Sequence, residues 1–370
     1  PGALLWLNGQ ERDLALLYRN LYNGMDSFPL MALPFFGLAG ELMNKGGITT
    51  RLVEFSQALM GHLRGGLAHV NILSSILFAG LSGSAVADTS ALGSTLIPAM
   101  EKNGYTKTFA AAVTAASSVI GPIIPPSGIM IIYAYVMGES VAALFLAGIV
   151  PGVMVGVGLM LVVRLMADKY DLPKAERIVT KGQTISPLED KVSFVLLRLN
   201  FAGILMVAFN LIAAALSATT GVAISVNGWL VFLVFLPIAH LFLMRMRRNT
   251  SADFRVICKK AVAPLQTPII ILGGILIGVF TPTEASAIAV AYALIIAFFV
   301  LHSMKLSDLP AIITKAALSA ATVLLLVGAA VSFKTVVSLS HAPEHMAHFI
   351  LGLSENPLIL LFLINILLFI

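Results

Sequence analysis

Residues 65–100 read GGLAHVNILSSILFAGLSGSAVADTSALGSTLIPAM, and Asp88 is the only Asp, Glu, Lys or Arg in this stretch. One straight helix of that length would measure about 54 Å, whereas the hydrocarbon core of a bilayer is roughly 30 Å thick. The sequence GLSGS at 80–84 is the place where a helix would break. We therefore predict a re-entrant hairpin with two limbs of about 15 residues, each too short to span comfortably, and a tip near the membrane midplane.

The composition of the whole chain agrees with a membrane location. Of 370 residues, 58% are hydrophobic and 11% are charged, and the mean hydropathy is +0.96. Soluble domains carry about 25% charged residues, and this length allows about ten membrane crossings. These values exclude a soluble globule, a single-pass receptor and an amphipathic anchor. Cys258 is the only cysteine, which excludes a disulfide within the chain and a thiolate metal cluster.

Apolar stretches alternate with short polar breaks along the chain. They lie at about 29–43, 67–100, 108–136, 140–166, 193–216, 228–244, 261–281, 284–302, 316–338 and 347–370. Basic residues cluster in the breaks at 169–191 and 245–260, which the positive-inside rule places in the cytoplasm, and the turns at 217–228 and 338–357 then face outside. The same rule accounts for the net charge of +5, so we exclude nucleic-acid binding.

Both ends of the sequence look like cuts within a longer chain. The chain opens with Pro1 rather than methionine, and it stops at Ile370 within an apolar run. We expect segments beyond both ends, so that any site is only partly present here.

Residues 48–66, ITTRLVEFSQALMGHLRGG, have the pattern of an amphipathic helix. Leu52, Phe55, Leu59 and Leu63 recur at helical spacing, with polar residues between them. The segment is too short and too polar to cross a bilayer, so we predict a helix at the membrane interface. An ordinary solvated connector is the alternative.

The tip of the hairpin requires a polar partner. An unpaired backbone N–H or C=O costs several kcal/mol in lipid, so irregular chain persists only against protein, water or a bound ion. Carbonyl groups and the hydroxyls of Ser82 and Ser84 suit a sodium ion, and Asp88 would add a charge inside the membrane. The alternative is that Ser84 and Asp88 only cap the second limb, while Gly83 permits close packing.

A second break lies in the next apolar stretch. The residues SSVIGPIIPPS at 117–127 contain three prolines and a glycine, which cannot continue as regular helix. We predict a discontinuous helix whose free carbonyls around Gly121 to Pro125, with the Ser127 hydroxyl, face the hairpin tip. A proline kink with only a packing role is the alternative.

Other polar residues indicate structural roles. The sequence TPTE at 281–284 predicts a helix-capping box. Asn71, Asn210 and His240 are lone polar residues in apolar stretches, and we interpret them as interhelical hydrogen-bond partners rather than ligands.

Several motifs resemble those of the large membrane subunit, M or DctM-like, of the tripartite ATP-independent periplasmic (TRAP) transporters. The motifs, in order, are DSFPLMALPFFGLAGELMNKGGI (26–48), SGSAVADTSALGSTLIPAM (82–100), GPIIPPSG (121–128), GIVPGV (148–153) and GVFTPTEASAIAVAYAL (278–294). The resemblance covers most of the chain.

This resemblance implies a transporter of the bacterial inner membrane that uses a sodium gradient to import organic acids such as C4-dicarboxylates or sialic acid. A soluble periplasmic binding protein would deliver the substrate, and a small four-helix membrane subunit would assist. The implied fold is all-α and polytopic, with two inverted repeats, each with a re-entrant hairpin and a broken helix. In it, a transport domain slides like an elevator against a scaffold.

Residue roles carry over by motif. The resemblance implies a first sodium site at Ser82, Gly83, Ser84, Ser117, Gly121 and Pro125, with Asp88 as a further candidate, and a substrate path lined by Ser82 and Ser127. The second hairpin and second sodium site are expected after Ile370. Residues 186–250 form two spans that many family members lack.

The same resemblance divides the chain into four parts. Residues 1–66 are scaffold and arm helix, and 67–136 are the hairpin and discontinuous helix of the first repeat. Residues 137–260 are connecting spans that include the two-span insertion, and 261–370 are a second repeat that stops before its hairpin is complete.

Other functions fit the sequence less well. A channel would need a carbonyl filter repeat or a charged ring, and an intramembrane hydrolase would need a nucleophile paired with a base. Neither pattern occurs, so we predict no enzymatic activity. A stand-alone sodium/carboxylate symporter of similar fold is the remaining alternative.

Overall fold

The computed structural model describes residues 14–173, 185–220, 228–276, 278–339, 341–352 and 356–369, and these ranges contain helices and loops without a β-strand. The helices are α1 Leu14–Met25, α2 Ala32–Lys45, α3 Ile48–Met60, α4 Gly66–Ser82, α5 Ala85–Lys102, α6 Lys107–Ser118, α7 Gly128–Met137, α8 Val141–Lys169, α9 Pro187–Thr220, α10 Gly228–Asn249, α11 Ala252–Leu276, α12 Pro282–Ile295, α13 Leu309–Leu339, α14 Ala342–Leu351 and α15 Pro357–Phe369. The predicted all-α class is confirmed.

Long apolar helices confirm a polytopic membrane protein. Within the described ranges, five helices are long and apolar enough to cross a bilayer: Val141–Lys169, Leu230–Arg248, Ala252–Ile275, Pro282–Val300 and Leu306–Ser338. Shorter apolar helices, Gly66–Ser82 and Gly128–Met137 among them, fit the predicted hairpin limb and broken helix. The apolar run predicted at 347–370 is divided, because α14 ends at Leu351 and α15 begins at Pro357.

The chain divides into two compact units, residues 32–317 and residues 1–31 with 318–370. In the smaller unit, α1 packs on the C-terminal part of α13. The Asn20 amide donates to the Thr335 hydroxyl at 2.9 Å, and the Ser332 hydroxyl donates to the Leu17 carbonyl at 3.0 Å. These polar contacts between apolar helices fix how the two helices pack.

In the larger unit, α4 is the central helix. It packs against α2, α3, α5, α6, α8 and α11, and most of its residues are buried. One hydrophobic cluster beside it consists of residues between 67 and 172: Leu67, Ala68, Ile72, Ala79, Met100, Tyr105, Ala110, Ile120, Ile124, Val163, Ala167 and Leu172. This cluster joins α4 to α5, α6 and α8.

A second group of packed helices in this unit comprises α2, α11 and α12. Helix α2 packs on α12, and α12 packs on α11, where the Tyr292 hydroxyl donates to the Ala263 carbonyl at 2.9 Å. The predicted capping box is confirmed at the start of α12, where Thr281 and Glu284 cap each other's backbone N–H.

Two of the lone polar residues are interhelical partners, as predicted. The Asn71 amide donates to Thr114 of α6 at 2.7 Å, and Arg198 of α9 donates to His240 of α10 at 2.8 Å. The side chain of Asn210 lies outside the described residues.

The predicted amphipathic segment is the helix α3, which packs against α4 and α11. Its buried face includes Ile48, Leu52 and Ser56, whereas Leu59 and Leu63 are partly exposed. The solvated-connector alternative is therefore wrong. The buried face is rotated from the predicted one, because protein covers the helix on the side of Ile48 and Ser56.

Three glycines of α8 leave room for the segment that precedes α7. Gly148, Gly152 and Gly156 are buried, and a Cβ at Gly152 would lie well inside van der Waals contact with Ile124, which precedes α7. These glycines allow α8 and the segment before α7 to approach closely, as small residues do in membrane helices.

We predict that Gly152→Leu lowers the unfolding free energy by about 1–3 kcal/mol, because overpacking forces a shift of α7 against α8. Thermal unfolding in detergent measures the effect. Gly158→Leu is the matched control, since Gly158 lies on the same helix with no atom near its Cβ position. Equal melting temperatures for the two variants would refute the close packing.

Candidate functional site

The hairpin is formed by α4 and α5, which break at the predicted tip. Helix α4 ends at Ser82, Gly83 has φ +59°, and Ser84 is the N-cap of α5. The limbs have 17 and 18 residues, slightly longer than predicted. They pack side by side, and the Asn71 amide reaches the Met100 sulfur at 3.8 Å. The predicted helical hairpin is therefore confirmed by the chain reversal at residues 82–84.

The discontinuous helix is also confirmed. Helix α6 ends at Ser118 and α7 begins at Gly128, and residues 119–127 are not helical. Ser127 is the N-cap of α7, accepts from the Met130 N–H at 3.3 Å and donates to the Pro122 carbonyl at 2.6 Å. The break is a structured segment, largely buried, rather than a simple kink.

The two breaks meet each other. A Cβ at Gly83 would collide with the carbonyl oxygen of Pro126 and lie 3.3 Å from the Ser127 Cα. A Cβ at Gly80 would lie 3.9 Å from the Pro125 carbonyl oxygen. The hairpin tip therefore packs directly against the broken segment, as the sequence predicts.

Asp88, in the first turn of α5, lies where the hairpin tip meets the broken segment. It is fully buried, and its Oδ1 accepts a hydrogen bond from the Ser82 hydroxyl. Its Oδ2 has no hydrogen-bond partner in the part of the chain that the structure describes. A Cβ at Gly121 would lie 2.7 Å from this Oδ2 and 3.2 Å from the Ser118 carbonyl oxygen, so both oxygens approach the same point.

Ser84 has the capping role that the sequence left open. Its hydroxyl accepts from the Ala87 N–H at 3.4 Å, and its own N–H donates to the Ser82 hydroxyl at 3.3 Å. Asp88, by contrast, bonds to a side chain of the first limb, so its role extends beyond a cap of the second limb.

Ser117 lies apart from the tip. Its hydroxyl accepts from Ser75 at 2.9 Å and approaches the Asn71 amide oxygen at 3.3 Å. Ser75 is seven residues before Ser82 on α4, about 10 Å along the helix axis. The structure therefore gives Ser117 a place in an interhelical hydrogen-bond network, while Ser82, Gly83, Ser84, Gly121, Pro125, Ser127 and Asp88 come together at the tip.

The Ser118 carbonyl is a feature of the site that the sequence reasoning missed. A regular helix would pair this carbonyl with the N–H four residues on, but residue 122 is a proline and has none. The Gly121 N–H bonds to it instead, at 3.0 Å. The position of Pro122 four residues after Ser118 is the signal that could have identified it.

Four helix ends meet at this junction. The C-terminal ends of α4 and α6, at Ser82 and Ser118, present carbonyl oxygens that attract a cation. The N-terminal ends of α5 and α7, capped by Ser84 and Ser127, present N–H groups that attract an anion. The arrangement can hold a cation beside a carboxylate within the protein.

We predict that Gly83→Ala destabilises the protein more than Gly138→Ala. Both glycines follow the end of a helix with positive φ, +59° and +73°, so both alanines carry similar backbone strain. Only the new methyl at 83 collides with a backbone carbonyl, whereas no atom lies near the Cβ position of Gly138. Melting temperatures in detergent compare them, and an equal loss would contradict the packing of the two breaks.

Comparison with known proteins identifies the family. The chain matches the family described as the tripartite ATP-independent periplasmic transporter, DctM component, over residues 2–240 and 228–370. Both stretches of the match extend into residues 186–250.

Individual relatives agree with this match. The chain is 34% identical to the sialic acid TRAP transporter large permease protein SiaM of Vibrio cholerae over 95% of its length and 65% of the relative's. It is 31% identical to the C4-dicarboxylate TRAP transporter large permease protein DctM of Pseudomonas aeruginosa, covering 99% of the chain and 69% of the relative. An uncharacterized protein, YgiK of Salmonella typhimurium, is 36% identical, with 97% and 66% covered.

The chain thus spans about two thirds of the length of these relatives. The names of SiaM and DctM describe permeases, which agrees with the several long apolar helices and with a multi-pass protein of the bacterial inner membrane. The chain belongs to the DctM component of the tripartite ATP-independent periplasmic transporters, a family of transporter subunits and not of enzymes.

Proposed function

We propose that this chain is part of a sodium-coupled importer of organic acids, and that the junction of the hairpin tip with the broken segment is its first ion and substrate site. The observation that carries the proposal is the buried Oδ2 of Asp88, which has no hydrogen-bond partner among the described residues. A buried carboxylate oxygen without a partner is costly unless a cation compensates it.

The donor set fits a sodium ion. A carboxylate oxygen of Asp88 and the Ser118 carbonyl oxygen face one point beside Gly121. The carbonyl of Gly121 lacks its regular helical donor, because Pro125 has no N–H. Hard cations prefer oxygen ligands, and interrupted membrane helices supply them as free carbonyls. The ion would neutralise Asp88 and so permit an anion nearby.

Carboxylate substrates fit the neighbouring helix ends. The N-caps Ser84 and Ser127 lie where α5 and α7 begin, on either side of Gly83. Relatives are named for sialic acid, C4-dicarboxylates and 2,3-diketo-L-gulonate, all of which carry a carboxylate. We infer that Ser82 and Ser127 line the path of such a group, and the choice among these acids depends on groups beyond the shared carboxylate.

An elevator movement is supported by the packing of the hairpin. One hydrophobic cluster from residues 67–172 joins the hairpin, the residues of the break and α8, which favours movement of these elements together. In the proposed tripartite system, a periplasmic binding protein hands the acid to this body, and a small membrane subunit stabilises the scaffold.

We predict that uptake requires sodium and does not require ATP, because the chain has no GxxxxGK[ST] phosphate loop and offers a cation site instead. The full-length protein, reconstituted in proteoliposomes with its small subunit, is assayed with and without binding protein. Uptake that persists with potassium replacing sodium on both sides contradicts the coupling. Uptake at the full rate without binding protein would favour the stand-alone symporter.

We further predict that Ser82→Ala and Ser127→Ala strongly reduce transport while the protein still inserts. Each change leaves a partner, the buried Asp88 or the partly buried Pro122 carbonyl, without its hydroxyl donor, at a cost of about 1–3 kcal/mol. That cost corresponds to a factor of roughly five to 150 in binding.

Ser251→Ala is the matched control for the helix cap that Ser127→Ala removes. The Ser251 hydroxyl also accepts from a first-turn N–H, that of Phe254, but Ser251 is exposed at the start of α11. This variant should transport normally. Normal rates and unchanged sodium dependence in both site variants would show that Ser82 and Ser127 are packing residues.

A further inference from the structure

A group of buried polar side chains joins α4 to α6. Asn71 and Ser75 are about one helical turn apart on α4, Thr114 and Ser117 face them from α6, and each of the four is at most 1% exposed. The Asn71 amide nitrogen donates to the Thr114 hydroxyl at 2.7 Å, and the Ser75 hydroxyl donates to that of Ser117 at 2.9 Å. We call these four residues the polar network. It links the first limb of the hairpin to the helix that precedes the break.

Each hydrogen bond of the polar network fixes the next one. The Thr114 hydroxyl donates its only proton to the Ala110 carbonyl at 2.8 Å, so its oxygen accepts from the Asn71 nitrogen. The Asn71 amide oxygen is thereby turned to Ser117, whose hydroxyl lies 3.3 Å away. Paired polar groups in a protein interior hold their helices in one arrangement, because a shift would leave a buried group without its partner. The network therefore fixes where α6 lies along α4.

Hydroxyl groups at the end of α6 converge on one carbonyl. The Thr114 carbonyl accepts from the Ser118 hydroxyl at 2.7 Å, and it lies 3.1 Å from the Ser117 hydroxyl. Hydroxyls that bond back to a carbonyl of the preceding turn often bend a helix. Helix α6 ends at Ser118, directly after these contacts. The side chains of this last turn therefore affect the direction in which α6 presents its final carbonyl groups.

The Ser118 carbonyl connects the polar network to the proposed ion site. Its oxygen and the Oδ2 of Asp88 approach the same point. Thr114 is four residues before Ser118, about 6 Å along the axis of α6. Asn71 is eleven residues before Ser82, about 16 Å along the axis of α4. Asn71 and Thr114 therefore act on the site through the backbone at the end of α6 and not as ligands.

We propose that Asn71, Ser75 and Thr114 are positioning residues for the sodium site: through Ser117 and the end of α6, they hold the Ser118 carbonyl where it faces Asp88. This inference rests on the proposed function. Groups that orient the ligands of a metal ion control its affinity nearly as strongly as the ligands do. Loss of the network should therefore weaken sodium binding, while transport at saturating sodium should persist.

Sodium affinity of the purified full-length protein is the first test. The melting temperature is measured as sodium replaces potassium, and the half-saturating sodium concentration is compared between variants. Thr114→Val keeps the shape but removes the hydroxyl, and it should raise this concentration about tenfold. Ser75→Ala removes one hydrogen bond and should raise it about threefold, whereas Thr114→Ser keeps the hydroxyl and should stay within about twofold. A lower melting temperature with unchanged half-saturating sodium would assign the network to stability alone and overturn the proposal.

Ser74→Ala is the matched control for Ser75→Ala. Ser74 is its neighbour on α4 and is equally buried, but its hydroxyl has no hydrogen-bond partner within the described ranges. The control should leave the sodium requirement unchanged. An equal shift in both serine variants overturns the proposal, because the loss of any buried hydroxyl of α4 would then be sufficient. This pair of mild substitutions decides the matter even if Thr114→Val fails to fold.

Transport separates affinity from the maximal rate. In proteoliposomes that hold the assembled transporter, Thr114→Val should need about tenfold more sodium for half-maximal uptake, with a maximal rate within about twofold of the original. Ser74→Ala should match the unmodified protein in both values. A lowered maximal rate in Thr114→Val with an unchanged sodium requirement contradicts the proposed role.

Amide hydrogen exchange tests the effect on α6 without sodium. In Thr114→Val, we expect exchange in residues 118–121 to be about tenfold faster than in the unmodified protein, and exchange in residues 129–137 of α7 to be unchanged. Equal exchange of residues 118–121 in the two proteins overturns the proposal. If sodium does not stabilise the unmodified protein, the proposed function fails and the role toward sodium fails with it. The exchange result would still show whether the network holds the end of α6.

Discussion

Backbone groups in the middle of a membrane must find partners within the protein, and this constraint organises the larger unit. Helices α4 and α6 both end within this unit, at Ser82 and Ser118, and the two irregular segments that follow them pack against each other. The contact is close because Gly83 has no side chain where the Pro126 carbonyl lies. Two interruptions that would each be costly in lipid become one polar centre when they are packed together.

The same constraint explains what could be predicted from the sequence. The length of the uncharged stretch at 65–100 and the prolines at 122–126 indicate both breaks, since neither pattern permits one regular helix. The placement of Ser117 was not predictable in this way. A shift of one residue along α6 turns a side chain to another face of the helix, and this decides whether the hydroxyl points to the tip or to Ser75 and Asn71. The rotation of α3 escaped prediction for a related reason: its burial depends on α4 and α11, which lie distant in sequence.

Charged residues of the polar breaks have a structural use beyond orientation. Lys259 belongs to the basic segment at 245–260 and Arg64 precedes the hairpin, and both form ion pairs between elements distant in sequence. Arg51 reaches the backbone of α11 next to Pro264. These ion pairs and hydrogen bonds connect elements that are distant in sequence.

Sodium-dependent stabilisation of the purified full-length protein tests the ion site at Asp88 most directly. The melting temperature is followed as sodium replaces potassium at constant ionic strength, for the original protein and for Asp88→Asn. A ligand that binds only the folded state stabilises it by about 2.7 kcal/mol at 100 times its dissociation constant. We expect the original protein to gain clearly more stability from sodium than the variant. An equal gain in both proteins, or none in either, would contradict a sodium site at the junction of the two breaks.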